Sequence, residues 1–152
     1  MKKITIPVLS LLLVLLFGCT NLAEDKSLKW NDNLESSVKI AKAENKFVLV
    51  NFTGSDWCVW CKKLMAEVFS QKEFAEYANK NLVLVKIDFP RSIEQSEATK
   101  KYNQDLAFKY GIQGFPTIVL LDKNGNLIAK TGYQPGGAAN YVTHLKGLFS
   151  QK

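Results

Sequence analysis

The chain has 152 residues, 47% of them hydrophobic, and carries 20 lysines and arginines against 14 aspartates and glutamates, for a formal charge of +6. That is enough apolar material for one domain with its own core, and neither an internal repeat nor a low-complexity tract divides it. Basic and acidic residues are interspersed rather than blocked, which leaves no charge stripe for nucleic acid and predicts a solvated, mildly basic surface.

The N-terminus reads as an export signal. Lys2 and Lys3 supply a positive start, residues 4–17 are apolar except for Thr5, Pro7 and Ser10, and Gly18 precedes Cys19. The run is too short to span a bilayer comfortably. Leu16-Phe17-Gly18-Cys19 resembles the lipobox of bacterial lipoproteins, which implies a signal peptide over 1–18, lipidation of Cys19 and a polar, lipid-attached tether over 19–30. Thr20 follows Cys19, so the aspartate that retains some lipoproteins at an inner membrane is absent. A plain signal peptide with an incidental Cys19, or a buried start helix, are the competing readings. Removal of Lys2 and Lys3 leaves 18 basic residues against 14 acidic, or +4. Cysteine usage fits the division: three cysteines are odd for an exported protein, and assigning Cys19 to lipid leaves Cys58 and Cys61 as the internal pair.

The domain then runs over 31–152. Residues 31–45 carry Leu34, Val38 and Ala41 at helical spacing, with Ile40 nearby, and predict an amphipathic helix. Residues 47–53 form a continuous apolar run with β-branched valines, the pattern of a strand covered on both faces. After the loop Gly54-Ser55-Asp56, a helix is expected over 58–69, and Ser70 with Glu73 matches a capping box for a second helix to about residue 79. A strand over 82–88, a polar stretch leading into a helix over 96–110, strands over 117–121 and 126–131 joined through Asn124-Gly125, and a helix over 137–149 complete the chain.

The first strand-to-helix turn carries the most informative stretch, Trp57-Cys58-Val59-Trp60-Cys61-Lys62. Two thiols at this spacing can close a small disulfide ring, and a helix N-terminus beneath the first favours its thiolate. Phe52-Thr53-Gly54-Ser55-Asp56-Trp57-Cys58-Val59-Trp60-Cys61-Lys62, with Tyr110-Gly111-Ile112-Gln113-Gly114-Phe115-Pro116-Thr117 far downstream, resembles the thioredoxin-like family, and more narrowly its exported branch. The resemblance covers residues 34–148. It implies the α/β thioredoxin fold, a single domain with a central mixed sheet flanked by helices.

It also implies roles. Cys58 is the exposed nucleophile and Cys61, one turn into the helix and more shielded, resolves the mixed disulfide. Phe115-Pro116 is cis and offers the Phe115 backbone to an extended substrate, with Trp57 and Trp60 as apolar walls. Either tryptophan could equally be a core residue. Oxidising members of the family carry a histidine between the cysteines, and Val59-Trp60 cannot stabilise a thiolate by charge, which favours a reductant. Lys62 and Lys63 read as solvated, and His144, the one histidine, is a poor catalytic candidate. Thioredoxins bury an aspartate as proton acceptor where this chain has Asn51, and an amide cannot serve. Asp56 lies nearby, but on the loop. Residues 90–104 form a longer stretch than a minimal thioredoxin needs.

The expected function is a thiol–disulfide oxidoreductase of the cell envelope, on its periplasmic side, reducing or isomerising disulfides in exported proteins. The Cys58–Cys61 disulfide is its only cofactor, no metal is held, and electrons come from a membrane electron-transfer partner. Two alternatives remain: a soft-metal-binding or metallochaperone module using the same thiolates, and a binding protein whose disulfide is structural.

Overall fold

A computed structural model describes residues 28–150. The signal peptide, Cys19 and the tether up to residue 27 lie outside the described residues. The elements run β1 (Trp30–Asn31), α1 (Leu34–Glu44), β2 (Phe47–Thr53), α2 (Val59–Leu64), a π-helical turn (Met65–Phe69), α3 (Lys72–Asn81), β3 (Leu82–Asp88), α4 (Glu97–Lys109), β4 (Thr117–Leu121), β5 (Leu127–Thr131) and α5 (Gly137–Phe149). The five strands form one mixed sheet in the order β1-β3-β2-β4-β5, with β1 and β2 parallel to β3 and with β4 antiparallel to both β2 and β5. This is the α/β architecture expected from the sequence.

Alternation along the strands divides the core into two layers. Leu49, Leu84, Ile118 and Leu120 face one side and pack with Leu64, Phe74, Tyr141 and Leu145 from the helices that follow β2 and β5. Val48, Val50, Phe52, Val85, Ile87 and Val119 face the other and pack with Leu34, Ala41 and Leu106 of α1 and α4. Covering on both faces explains why β2 reads as an uninterrupted apolar run.

Several local expectations are corrected. Residues 30–31 are not the end of a tether and the start of a helix: they pair with Leu84 and Val85 as a short edge strand, while Leu28 and Trp30 pack against the core. Helix α1 starts later, where the Asn33 side chain accepts from the Ser36 amide at 2.8 Å. The helix over 58–69 is not continuous, because its ladder widens to a π-turn at Met65. Ser70 therefore ends that turn instead of capping α3; Gln71 occupies the N-cap and makes no side-chain cap bond.

The Asp122–Asn126 hairpin forms where Asn-Gly predicts it. The Asp122 carboxylate accepts from the Asn124 and Asn126 amides, both at 2.9 Å, and Gly125 takes φ = 87°.

Phe74 is fully buried, its ring tilted against that of Phe69 at the end of the π-turn with centroids 4.8 Å apart. Phe74→Ala is expected to cost about 3–5 kcal/mol, measured by urea denaturation, as for other large-to-small changes in close-packed cores.

Candidate active site

The site forms at the C-terminal end of β2. The Cys58 amide donates to the Gly54 carbonyl at 2.9 Å, closing the loop that leads into α2, and Cys58 becomes the N-cap of that helix. Its Sγ accepts from the Cys61 amide at 3.1 Å. Cys58 and Cys61 are joined as a disulfide with Cα atoms 5.2 Å apart. The same N–H that contacts Sγ in the disulfide is placed to stabilise a thiolate on reduction.

The two cysteines do not differ in shielding as expected: each is 6% exposed. The disulfide ties the two residues together, and they are equally buried. Cys61 opens instead to a cleft of about 300 Å³ shared with Thr53, Ser55, Met65 and Lys86. Beneath α2, Asn51 is 3% exposed, pairs in register with Lys86 of β3, and its Oδ1 has no hydrogen-bond partner.

Neither tryptophan of the motif is a core residue. Trp57 folds back over Gly54, where any Cβ would stand 2.5 Å from the indole, so only glycine permits this placement. Its Nε1 donates to the Phe89 carbonyl at 2.8 Å, and its ring meets Phe115 edge-on at 5.9 Å. Trp60 is 55% exposed and lies 5.4 Å from the Tyr133 ring on the opposite side of the disulfide.

The Phe115–Pro116 peptide is cis. Thr117 pairs with Phe52 across β4 and β2, which brings the Pro116 bend to the same sheet end as the dithiol loop. Thr117 Oγ1 donates to the Gly114 carbonyl at 2.7 Å, bracing the bend. Gly132 comes so near that a Cβ there would be 3.2 Å from the Pro116 carbonyl oxygen.

The lysines are less free than their sequence suggests. Lys62 Nζ donates to the Asp56 carbonyl at 2.7 Å, and Lys63 Nζ lies over both the Trp60 and Tyr133 rings, at 5.3 and 5.2 Å. Tyr133 donates its hydroxyl proton to Glu67 at 2.6 Å, a bond that raises the tyrosine pKa. His144 stands at the core edge, sharing a hydrogen bond with Thr131 Oγ1.

Sequence reasoning missed the residues that tie the loop down. Ser55 donates from its amide and its hydroxyl to the two oxygens of Asp88, at 3.0 and 2.6 Å. Asp56 accepts from the backbone amides of Arg91 (3.1 and 3.0 Å) and Ser92 (2.6 Å). Arg91 in turn sets its guanidinium 3.9 Å over the Trp57 ring. The one signal for these contacts was the extra length after residue 90.

The Ser92 amide is the main reason the Asp56 carboxyl is held below its ordinary 3.8; partial desolvation opposes it, and the Arg91 amide adds to the lowering. Because the folded state has the lower pKa, this tie is complete above the ordinary value and is lost as pH falls through the folded one. The Arg91 and Ser92 amide shifts in an NMR titration should share one midpoint below 3.8, and Asp56→Ala should abolish it.

Comparison with known proteins places this geometry in a family. A family model described as a thioredoxin-like domain matches residues 34–144. The chain is 37% identical over 120 residues to the disulfide bond reductase DsbH of Chlamydia pneumoniae, covering 79% of this chain and 72% of that protein. It is 32% identical over 136 residues to the thiol:disulfide interchange protein DsbD of Colwellia psychrerythraea, covering 86% of this chain but 21% of that longer protein. A solved DsbH oxidoreductase superposes with a TM-score of 0.77 at 34% identity, over 83% of this chain and 87% of the other. The chain belongs to the thioredoxin-like family.

Proposed function

We propose that this protein is a thiol–disulfide oxidoreductase that reduces or isomerises disulfides of exported proteins at the cell envelope. The observation that carries the reading is the Cys58–Cys61 disulfide at the start of a helix, with the cis Phe115–Pro116 bend brought to the same sheet end. Similarity to a protein named a disulfide bond reductase supports it.

In the reducing direction, the Cys58 thiolate attacks one sulfur of a substrate disulfide, forming a mixed disulfide and releasing the other sulfur as a thiolate that takes up a proton. Cys61 loses its proton and attacks the Cys58 sulfur, releasing the second substrate thiol and closing the protein disulfide. Two electrons and two protons pass to the substrate. Trp57, Trp60 and Phe115 offer apolar surface to the substrate, and the Phe115 backbone ahead of Pro116 receives the substrate chain in extended pairing. The dithiol pair is the only cofactor this cycle needs, and restoring it requires a dithiol donor, which for an exported protein is a membrane electron-transfer partner.

The metallochaperone alternative offers two thiolates but no third ligand: among the described residues, no group of three or more His, Cys, Asp or Glu is placed to hold a metal. The absence of a histidine or cation between the cysteines leaves the thiolate without extra stabilisation by charge, which supports a reductant over an oxidant.

Titration of the full-length protein in redox buffers, with free thiols trapped and counted by mass, should give a two-electron transition nearer about −270 mV than about −120 mV. Cys58→Ser should abolish disulfide reduction, and Cys61→Ser should accumulate the mixed disulfide with substrate. A transition near the oxidising end, or none with zinc tightly bound, overturns the reading.

The envelope location rests on the signal and lipobox resemblance at Cys19. Acyl chains there would hold the domain at a membrane surface, each buried methylene adding about 0.8 kcal/mol. Mass analysis of the native N-terminus should find processing before a lipidated Cys19; an unmodified Cys19 or cleavage elsewhere refutes the anchor.

A further inference from the structure

Building on the oxidoreductase reading, we propose that Arg91 is a specificity residue that favours substrates carrying an acidic side chain on one flank of the disulfide to be reduced.

The two sides of the dithiol are built differently. Strand β3 lies on one side of β2, and β5 lies beyond β4 on the other, so the loops that follow β3 and β5 reach the dithiol from opposite directions. The β5 side presents Trp60 and Tyr133, and its charges are already satisfied: Lys63 lies 3.8 Å from Glu67, which also accepts from the Tyr133 hydroxyl. The β3 side presents Trp57 and Arg91. Here the guanidinium rests on an indole face, and no carboxylate pairs with it among the described residues.

Asp56, the obvious candidate partner, is engaged elsewhere. Both of its oxygens accept from backbone amides of residues 91 and 92, so it fixes the turn that carries Arg91 and leaves the guanidinium free to bind. Asp88 is likewise committed to Ser55.

The result is a preorganised cation. Its backbone is clamped by three hydrogen bonds to one carboxylate, and its head group is held at 3.9 Å over a ring that adjoins Cys58 and touches Phe115. A stacked guanidinium keeps N–H donors at its edge, where they match the two oxygens of a carboxylate. Little side-chain entropy is left to lose on binding, which is where an ordinary surface arginine forfeits most of its gain.

The test uses pre-reduced full-length protein and short peptides, each disulfide-linked to an uncharged thiol, with Asp, Asn or Lys near the cysteine on its N-terminal or C-terminal flank. Single-turnover reduction should be about fivefold or more faster for Asp than for Asn on one flank, with little difference on the other. The preference should decline as salt rises from about 0.01 M to about 1 M. Arg91→Gln should erase it, and Arg91→Glu should invert it in favour of Lys, a gain that misfolding cannot mimic. Equal rates for Asp and Asn peptides on both flanks, or a preference that survives in Arg91→Gln, overturn the assignment. Failure of the wild type to reduce even neutral hydroxyethyl disulfide overturns the oxidoreductase reading beneath it, a distinct result.

Discussion

Burial of β2 on both faces positions everything at the dithiol. Its even-numbered residues Val48, Val50 and Phe52 pack against α1 and α4, while Leu49 faces the helices on the opposite side. With β3 parallel on one edge and β4 antiparallel on the other, the strand has neither a free edge nor a free face along which to slip. A shift of one residue would exchange the two faces, turning Leu49 and Asn51 toward α1 and α4 and breaking the packing of both layers. The end of the strand is therefore fixed in space, and so is the loop that begins at Gly54. Antiparallel pairing with β4 then delivers the cis Phe115–Pro116 bend from more than fifty residues downstream, because Thr117 must sit opposite Phe52.

From that fixed end, the active-site loop is fastened sideways to the loop after β3. The Ser55–Asp88, Asp56–Arg91/Ser92 and Trp57–Phe89 hydrogen bonds join three successive loop residues to the segment over 88–92. The arrangement consumes the local carboxylates in structural bonds. What remains at the rim on this side is apolar surface and positive charge, while the far side balances Lys63 against Glu67. Residues 90–92, which look like surplus length in sequence, are the anchor for the loop bearing Cys58.

The chemistry takes place in a dry setting. Both cysteines are nearly buried, and the neighbouring Trp57 packs its ring edge-on against Phe115. Such surroundings disfavour a bare thiolate, and the Cys61 amide at 3.1 Å from Cys58 Sγ is the local interaction that opposes this. Below the helix, Asn51 supplies an amide where a carboxylate would serve as base, and its Oδ1 is left without a partner. The cleft beside Cys61 is bordered by polar groups, Lys86 and Thr53 among them.

Much of this was legible in the sequence, for identifiable reasons. Apolar runs and helical spacing reveal which strands are buried on both sides, Asn124-Gly125 marks a hairpin because few other pairs tolerate its backbone angles, and Cys58 and Cys61 point to redox chemistry by their spacing together with the motif around them. These are local properties, carried by neighbours in the chain. The edge strand at Trp30, the π-turn at Met65 and the failure of Ser70 to cap α3 escaped that reading, since each depends on what the segment packs against. The same holds at the site. Sequence by itself determined the dithiol and its strand-to-helix turn, and the family resemblance pointed to the cis proline at residue 116. Tertiary structure alone decided that the two cysteines are equally buried, that Trp57 lies back over Gly54, and that Asp56 holds a distant turn whose Arg91 sits over the Trp57 ring. The Asp56 and Arg91 contacts join residues more than thirty positions apart, and their energy exists only once the sheet has brought them together.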